Sequence, residues 1–241
     1  MLVLDAGNAL IGASISVVDQ GRLMVQAMNA MGYDALAVGR GELLQGLDVA
    51  LARAGEAAFP FLSANLVYKA DEKPVFEPYA IVIKEGVRVG IIGLTHEGDV
   101  TAIDDQKTAT VLEPEETARR LVGELRGQVD AIIVLSRLGR EADQALARSV
   151  PGINVIVGGR TRVLMPEPDR VGDTLIIQQG YSGEWLGKLA ITLDRGLPTN
   201  VVVEAIALTD AIPDDEDMAR MVAETMAGRG EPLSVTPMAT R

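Results

Sequence analysis

The sequence of 241 residues contains no cysteine and only one histidine, His96. Without cysteine the chain can form no disulfide and can offer no thiolate to a metal. A zinc or iron site built from several imidazoles is excluded as well, because it needs more than one histidine.

Basic residues, aromatic residues and long apolar runs are also scarce. Lys and Arg number 22 against 34 Asp and Glu, which gives a net charge of −12 and argues against a general surface for nucleic acid or anionic membrane. No apolar stretch approaches the roughly 20 residues of a membrane helix. Aromatic residues make up 3%, whereas the 48% hydrophobic and 23% charged fractions are those of a globular chain.

Short β-like runs alternate with amphipathic helical runs along the chain, which predicts an α/β fold. The pattern predicts one domain over residues 1–209, followed by a C-terminal helix and a flexible tail over 210–241. Helices are predicted at 22–31, 42–54, 114–127 and 141–149, and strands at 2–6, 35–38, 61–64, 80–84, 87–94, 131–135, 154–157, 174–178, 186–193 and 201–208.

Seven segments, most of them at predicted strand ends, form an ordered set. They are 4–8 (LDAGN), 28–39 (MNAMGYDALAVG), 62–66 (LSANL), 90–95 (GIIGLT), 135–139 (LSRLG), 150–159 (VPGINVIVGG) and 178–187 (QQGYSGEWLG). In this order they resemble the metallophosphatase (calcineurin-like phosphoesterase) domain of the 5′-nucleotidase family. The resemblance implies a four-layer α-β-β-α sandwich of two mixed sheets.

The resemblance also implies a chemistry. Family members hold two divalent metals, such as Mn or Zn, at the carboxyl ends of the strands. The metals activate a water that attacks a phosphate ester, and a histidine assists the leaving group. Family members are usually exported, so the resemblance implies an extracytoplasmic location, although the sequence shows no signal peptide.

The residues at the family's metal-binding positions differ from the family pattern. The bridging aspartate is replaced by an asparagine, a ligating asparagine and three ligating histidines by arginines, and the catalytic histidine by glycine. An opening Asp-x-His segment is not found before Leu2. Because arginine has no lone pair to donate, the sequence predicts no catalytic residue, no metal and no cofactor. The degenerate positions are Asn8, Arg40, Gly41, Arg137, Arg160 and Arg162.

Two interpretations of the four arginines remain open. Arg40, Arg137, Arg160 and Arg162 could converge as a binding site for phosphate, sulfate or a nucleotide phosphate, since the guanidinium fork suits oxyanions. They could instead face solvent or pair with local acids, for which the candidates are Glu42, Glu141 and Asp143. Asn65 and His96 are candidate neighbours of the pocket, with a turn role and a simple loop role as the respective alternatives.

An acidic loop follows His96 and allows two interpretations of its own. Its carboxylates could bind a hard cation such as calcium, or the loop could simply be solvated. The spacing matches no known cation loop and favours the solvated loop. The four acidic residues are Glu97, Asp99, Asp104 and Asp105.

Three functional hypotheses follow: an inactive binding or interaction module, a residual metal-dependent phosphoester hydrolase, and a structural or assembly subunit. The absent first strand predicts an exposed sheet edge that a homodimer or a protein partner would cover. A phosphate or nucleotide ligand is expected, with no nucleic acid and no membrane as partner.

Overall fold

Two sheets face each other in the computed structural model, which describes residues 1–12, 14–100, 108–194 and 196–227. The three-stranded sheet has the order β1-β2-β3 and is parallel. The larger sheet has the order β10-β11-β9-β8-β6-β5, with β6, β8, β9 and β11 parallel and the two outer strands antiparallel.

These sheets are built from nine strands. They are β1 Leu4–Asp5, β2 Ala35–Ala37, β3 Phe61–Leu62, β5 Tyr79–Lys84, β6 Val87–Leu94, β8 Ala131–Ser136, β9 Val155–Gly158, β10 Asp169–Val171 and β11 Thr174–Ile177, with β4 Leu66–Tyr68 pairing separately with β7 Ala109–Val111. A long antiparallel hairpin follows, formed by β12 Trp185–Asp194 and β13 Leu197–Ala207.

The described helices are α1 Ser14–Val18, α2 Arg22–Met31, α3 Arg40–Leu43, α4 Leu47–Glu56, α5 Glu97–Val100, α6 Pro114–Leu125, α7 Arg140–Ser149 and α8 Glu216–Ala227. Local sequence explains several of their ends. Helix α2 ends at Gly32, whose left-handed backbone (φ 72°) satisfies the last carbonyls. Helix α6 begins at Pro114, followed by Glu115 and Glu116 in the first turn, where a proline and negative charge are favoured.

Three clusters of buried hydrophobic side chains fill the spaces between the layers. One cluster, which includes Met28 and Leu36, packs α2 and α4 on the three-stranded sheet. A second packs α6 and α7 on the outer face of the six-stranded sheet, around Leu121 and Ile156. The third lies between the sheets, where small and branched side chains such as Ala37 and Ile91 meet. This helix-sheet-sheet-helix arrangement confirms the predicted fold class.

The C-terminal region is much less buried than these layers. Helix α8 contacts α2, yet none of its side chains is buried, and Val222 and Met226 are about half exposed. The predicted tail at 228–241 lies outside the described residues, and the division at residue 209 stays a prediction. No described helix has the length and the apolar composition needed to cross a membrane.

Candidate functional site

The degenerate positions follow the carboxyl ends of parallel strands. Asn8 follows β1, Arg40 and Gly41 follow β2, Arg137 follows β8, and the loop after β9 carries Arg160 and Arg162. Since the carboxyl ends of parallel strands lie at one edge of a sheet, both sheets present these loops to a common region. Arg137 and Arg160 are joined there through a shared partner, Asp99.

The side chain of Arg137 is buried, with 5% of its surface exposed. Its Nη1 donates to the carbonyl oxygen of Gly7 at 3.2 Å and to that of Gly159, and its Nε donates to Asp99 Oδ2 at 3.4 Å. One guanidinium therefore connects the loops after β1 and β9 with helix α5.

Glycine is required around this guanidinium because the backbone approaches it so closely. A Cβ atom at Gly39 would lie 2.6 Å from Arg137 Nε, and one at Gly159 would lie 2.9 Å from Nη1. Real Cβ atoms are essentially never found at such distances, so neither position can carry a side chain with Arg137 in place. The loops after β1, β2 and β9 thus close around this one side chain.

Asp99 forms ion pairs with two of the arginines. Its Oδ1 accepts a hydrogen bond from Arg160 Nη1 at 2.7 Å, while its Oδ2 faces Arg137. Asp99 is only 3% exposed, whereas the side chain of Arg160 is 34% exposed and borders solvent. The sequence placed Asp99 in a solvated or cation-binding acidic loop. Its actual place is between two arginines, and Asp104 and Asp105 of that loop lie outside the described residues.

Arg40 and Arg162 stand apart from this buried cluster. Both are exposed, and neither side chain makes a hydrogen bond or an ion pair with the part of the chain that the structure describes. Arg162 has a left-handed backbone (φ 60°), which is uncommon for a residue other than glycine. The structure thus joins Arg137 and Arg160 through Asp99 and gives no contact that joins Arg40 or Arg162 to them.

Glu42 holds the loops after β1 and β2 together through backbone hydrogen bonds, and it pairs with no arginine among the described residues. Its carboxylate accepts backbone N–H groups from Asn8 at 2.8 Å, Ala9 at 2.7 Å, Leu10 at 3.2 Å and Gly39 at 2.8 Å. The sequence indicated Glu42 only as a candidate partner of an arginine. An acid three residues after a strand-end glycine, at the start of a helix, is the signal that indicates this capping role.

Asn8 and Gly41 lie against each other. The Oδ1 atom of Asn8 accepts the Gly41 N–H at 2.8 Å. A Cβ at Gly41 would meet the Asn8 backbone at 3.0 Å, so a histidine at position 41 would require a shift of that loop.

Two aspartates near this edge have raised pKa values. Burial raises the pKa of Asp5 to about 6, and the Gly7 N–H and Arg137 oppose this rise while Glu42 adds to it. Burial also raises the pKa of Asp143 to about 6, against a hydrogen bond from Ser136 Oγ. The carboxylate Oδ2 of Asp143 and the amide Oε1 of Gln178 are buried and have no hydrogen-bond partner among the described residues.

The two candidate neighbours differ in their access to solvent. Asn65 is buried and bonds with both ends of its amide, donating to the Thr95 carbonyl at 2.9 Å and accepting the Thr95 N–H at 2.9 Å. It therefore fixes the ends of β3 and β6. His96 is half-buried, and its Nδ1 accepts the Gly98 N–H at 2.8 Å. Burial, and next the charge of Arg160, lower its pKa, although Asp99 and Glu97 act in the opposite direction.

The side chains at this edge do not fit a pair of divalent metals. No three His, Cys, Asp or Glu side chains come together as metal ligands within residues 1–12, 14–100, 108–194 and 196–227. Two carboxylates at this edge are already engaged, Asp99 by two arginines and Glu42 by four backbone N–H groups. A guanidinium offers no lone pair and repels a cation.

Known proteins similar to this chain agree with the fold. No protein-family model matches it. The protein UshA of Yersinia enterocolitica is 30% identical over 81% of this chain and 42% of its own length. A 5′-nucleotidase precursor from Thermus thermophilus superposes with a TM-score of 0.86 at 30% identity, covering 94% of this chain and 49% of that one. The sulfate thiohydrolase SoxB of Thermus thermophilus, in complex with glycerol, gives a TM-score of 0.88 at 25% identity, covering 95% and 43%.

The layered fold and these structural matches define the class as a metallophosphatase domain. Within that class, the chain belongs to the calcineurin-like phosphoesterase domains of the 5′-nucleotidase family, as the resemblance in sequence predicted. The chain spans less than half the length of UshA and of the two solved structures named above.

Proposed function

We propose that this chain is a catalytically inactive 5′-nucleotidase-like domain that acts as a binding module for a phosphate-type anion. The observation that carries the proposal is the Arg137–Asp99–Arg160 cluster. It puts cationic side chains, rather than metal ligands, at the strand ends where the family's chemistry takes place.

The inactive character is supported by the donors that are present. The family mechanism needs two metals to activate water, and the position of the bridging aspartate here carries an asparagine amide whose Oδ1 already accepts the Gly41 N–H. The catalytic histidine position is Gly41. Without the metal ligands and the histidine at these positions, the family arrangement supplies neither a metal-activated water to attack phosphorus nor a general acid to protonate the leaving group.

Anion binding is supported by the outer arginines. Asp99 is held by Arg137 from the interior, so Arg160 can turn donors toward a ligand without leaving that carboxylate unpaired. Arg40 and Arg162 add exposed guanidinium groups on loops that follow β2 and β9. Guanidinium binds phosphate or sulfate oxygens through parallel charge-assisted hydrogen bonds. The neutral imidazole of His96, with Nδ1 occupied, presents Nε2–H as one more donor.

Calorimetric titration with inorganic phosphate, sulfate and AMP tests the binding. We expect phosphate and AMP to bind the wild-type chain. Arg160→Ala should weaken binding about tenfold, the effect of losing about 1.4 kcal/mol of charge-assisted hydrogen bonding. Arg148→Ala is the matched control, since Arg148 is an exposed arginine of α7 outside the site. Equal losses in the two variants, or no binding by the wild type, would contradict the proposal.

A second candidate is an assembly role, which one observation favours. Strand β1 lies at the end of the three-stranded sheet and pairs with β2 and with no other described strand. A second copy of the chain or a protein partner could pair with that edge. Light scattering after gel filtration tests self-association: a concentration-independent dimer supports a homodimer, and a monomer at all concentrations refutes it.

A further inference from the structure

We infer that the guanidinium of Arg137 takes over the structural role of the metals and holds the strand-end loops together as an internal cation. This inference concerns how the centre is held, and it does not depend on anion binding by the outer arginines.

Arg137 connects segments that lie far apart in the sequence. Arg137 Nη1 bonds to the carbonyls of Gly7 and Gly159, which are 130 and 22 residues away in the sequence. Its Nε reaches Asp99, 38 residues away. These contacts tie the β1 loop of one sheet to the β9 loop of the other sheet and to α5. A metal centre ligated from several strand ends would tie the same kinds of loops together.

The space around the Arg137 side chain is closely fitted by three loops. Its Cδ would meet a Cβ at Gly7 at 3.1 Å, its Nε a Cβ at Gly39 at 2.6 Å and its Nη1 a Cβ at Gly159 at 2.9 Å. Three loops therefore contact the side chain along its length. An ion placed in this space would overlap the guanidinium, so the side chain and the metals exclude one another.

Arg137 also supplies the positive charge that the buried Asp99 requires. The buried carboxylate of Asp99 needs a cation, because an unpaired charge in the interior is costly. Arg137 supplies a permanent charge, and its flat fork donates in several directions at once. Lysine would supply the charge but not the fork, and methionine would supply a side chain of comparable length with neither.

Thermal unfolding of the wild-type chain gives the first test. The melting temperature should be the same with EDTA, with added Mn²⁺ and with added Zn²⁺, because the centre already contains its cation. A ligand that binds only the folded state raises the melting temperature. A clear rise with Mn²⁺ or Zn²⁺, or a clear fall with EDTA, would overturn the inference without any variant being needed.

Substitutions of Arg137 give the second test. The melting temperature should fall in the order wild type, Arg137→Lys, Arg137→Met, with Arg148→Met on α7 as the control that leaves it nearly unchanged. Amide hydrogen exchange should show faster exchange in Arg137→Lys at three separate places, around Gly7, Gly39 and Gly159, with the β12–β13 hairpin unchanged. Uniform acceleration along the chain, or acceleration in the β8 loop alone, would show that Arg137 does not join the loops.

Chemical rescue of Arg137→Ala gives the third test. Arg137→Ala removes the guanidinium group and two methylene groups, and ethylguanidinium at millimolar concentration should raise the melting temperature of this variant but not that of Arg148→Ala. Equal responses of the two variants would overturn the inference.

Discussion

The inner and the outer arginines of this edge carry the same side chain in opposite environments. Arg137 is 5% exposed and donates to two carbonyls and a carboxylate. Arg40 and Arg162 are exposed, and their guanidinium groups contact no described acceptor. Arg160 lies between these extremes, with one nitrogen on Asp99 and the rest near solvent.

This difference shows that burial and partners, not residue type, decide what a cation can do. Donors that are committed inside the fold contribute to its stability and cannot be exchanged cheaply for a ligand. Exposed donors contribute little to stability and remain open to an oxyanion. We call Arg137, Asp99 and Glu42 the inner half of the site, because their polar groups are engaged inside the fold, and the exposed Arg40 and Arg162 the outer half. Substitutions in the inner half should therefore change the free energy of unfolding, and those in the outer half the affinity for anions.

The largest effect is expected from Glu42→Ala, which tests the inner half. Its removal leaves four backbone N–H groups of the β1 and β2 loops without their acceptor. Since a buried unsatisfied donor costs about 1–3 kcal/mol, we expect the free energy of unfolding to fall by roughly 3 kcal/mol or more. Urea denaturation measures this fall, and Glu141→Ala, an exposed acid of α7, is the control. Equal stability of the two variants would contradict the prediction.

A smaller effect of opposite sign is expected from Asp143→Asn. Because the pKa of Asp143 is raised to about 6 in the folded chain, the folded state binds the proton more tightly than the unfolded state, whose aspartate titrates near 3.8. The wild type therefore loses stability as the pH rises from about 4 to about 6, and the loss persists at higher pH.

Asparagine cannot ionise, so the variant should avoid that loss. At about 1.4 kcal/mol per pKa unit, the gain at pH 7 is about 1–3 kcal/mol. Urea denaturation at a series of pH values measures this gain. The variant should still lose some stability as the pH rises from about 4 to about 6, because the pKa of Asp5 is also raised to about 6. A variant that is less stable than the wild type at pH 8 would refute the prediction.

The smallest effect on stability is expected from the double substitution Arg40→Ala and Arg162→Ala, which tests the outer half. Neither side chain has a described partner to lose, so the free energy of unfolding should change by no more than about 0.5 kcal/mol. Phosphate affinity should nevertheless fall. A large loss of stability, or an unchanged phosphate affinity, would contradict the prediction that the exposed arginines bind anions without stabilising the fold.

Periodicity in the sequence predicted most of the fold. The predicted bounds 87–94 and 22–31 agree with β6 and α2, because each has a long apolar pattern of one period. The three-residue strands β4, β7 and β10 were missed, since so short a run carries little period. The single helix predicted at 42–54 is divided in the structure, where Gly46 separates α3 from α4.

The site was harder to predict than the fold. The sequence named Arg137 and Arg160 at strand ends, but their common partner Asp99 is 38 and 61 residues away from them. Pairing over such distances depends on how the sheets face each other, and a charged residue in a loop gives no local sign of burial. For the same reason the sequence could not separate the buried Arg137 from the exposed Arg40 and Arg162.

The most direct test of the central claim is the release of phosphate from AMP by the purified chain at saturating Mn²⁺ or Zn²⁺. An internal arginine centre predicts no release above that of the metal and AMP without protein, even in long incubations. Release that saturates with AMP, is proportional to the protein concentration and is abolished by EDTA would contradict it, and would show that this chain hydrolyses phosphate esters.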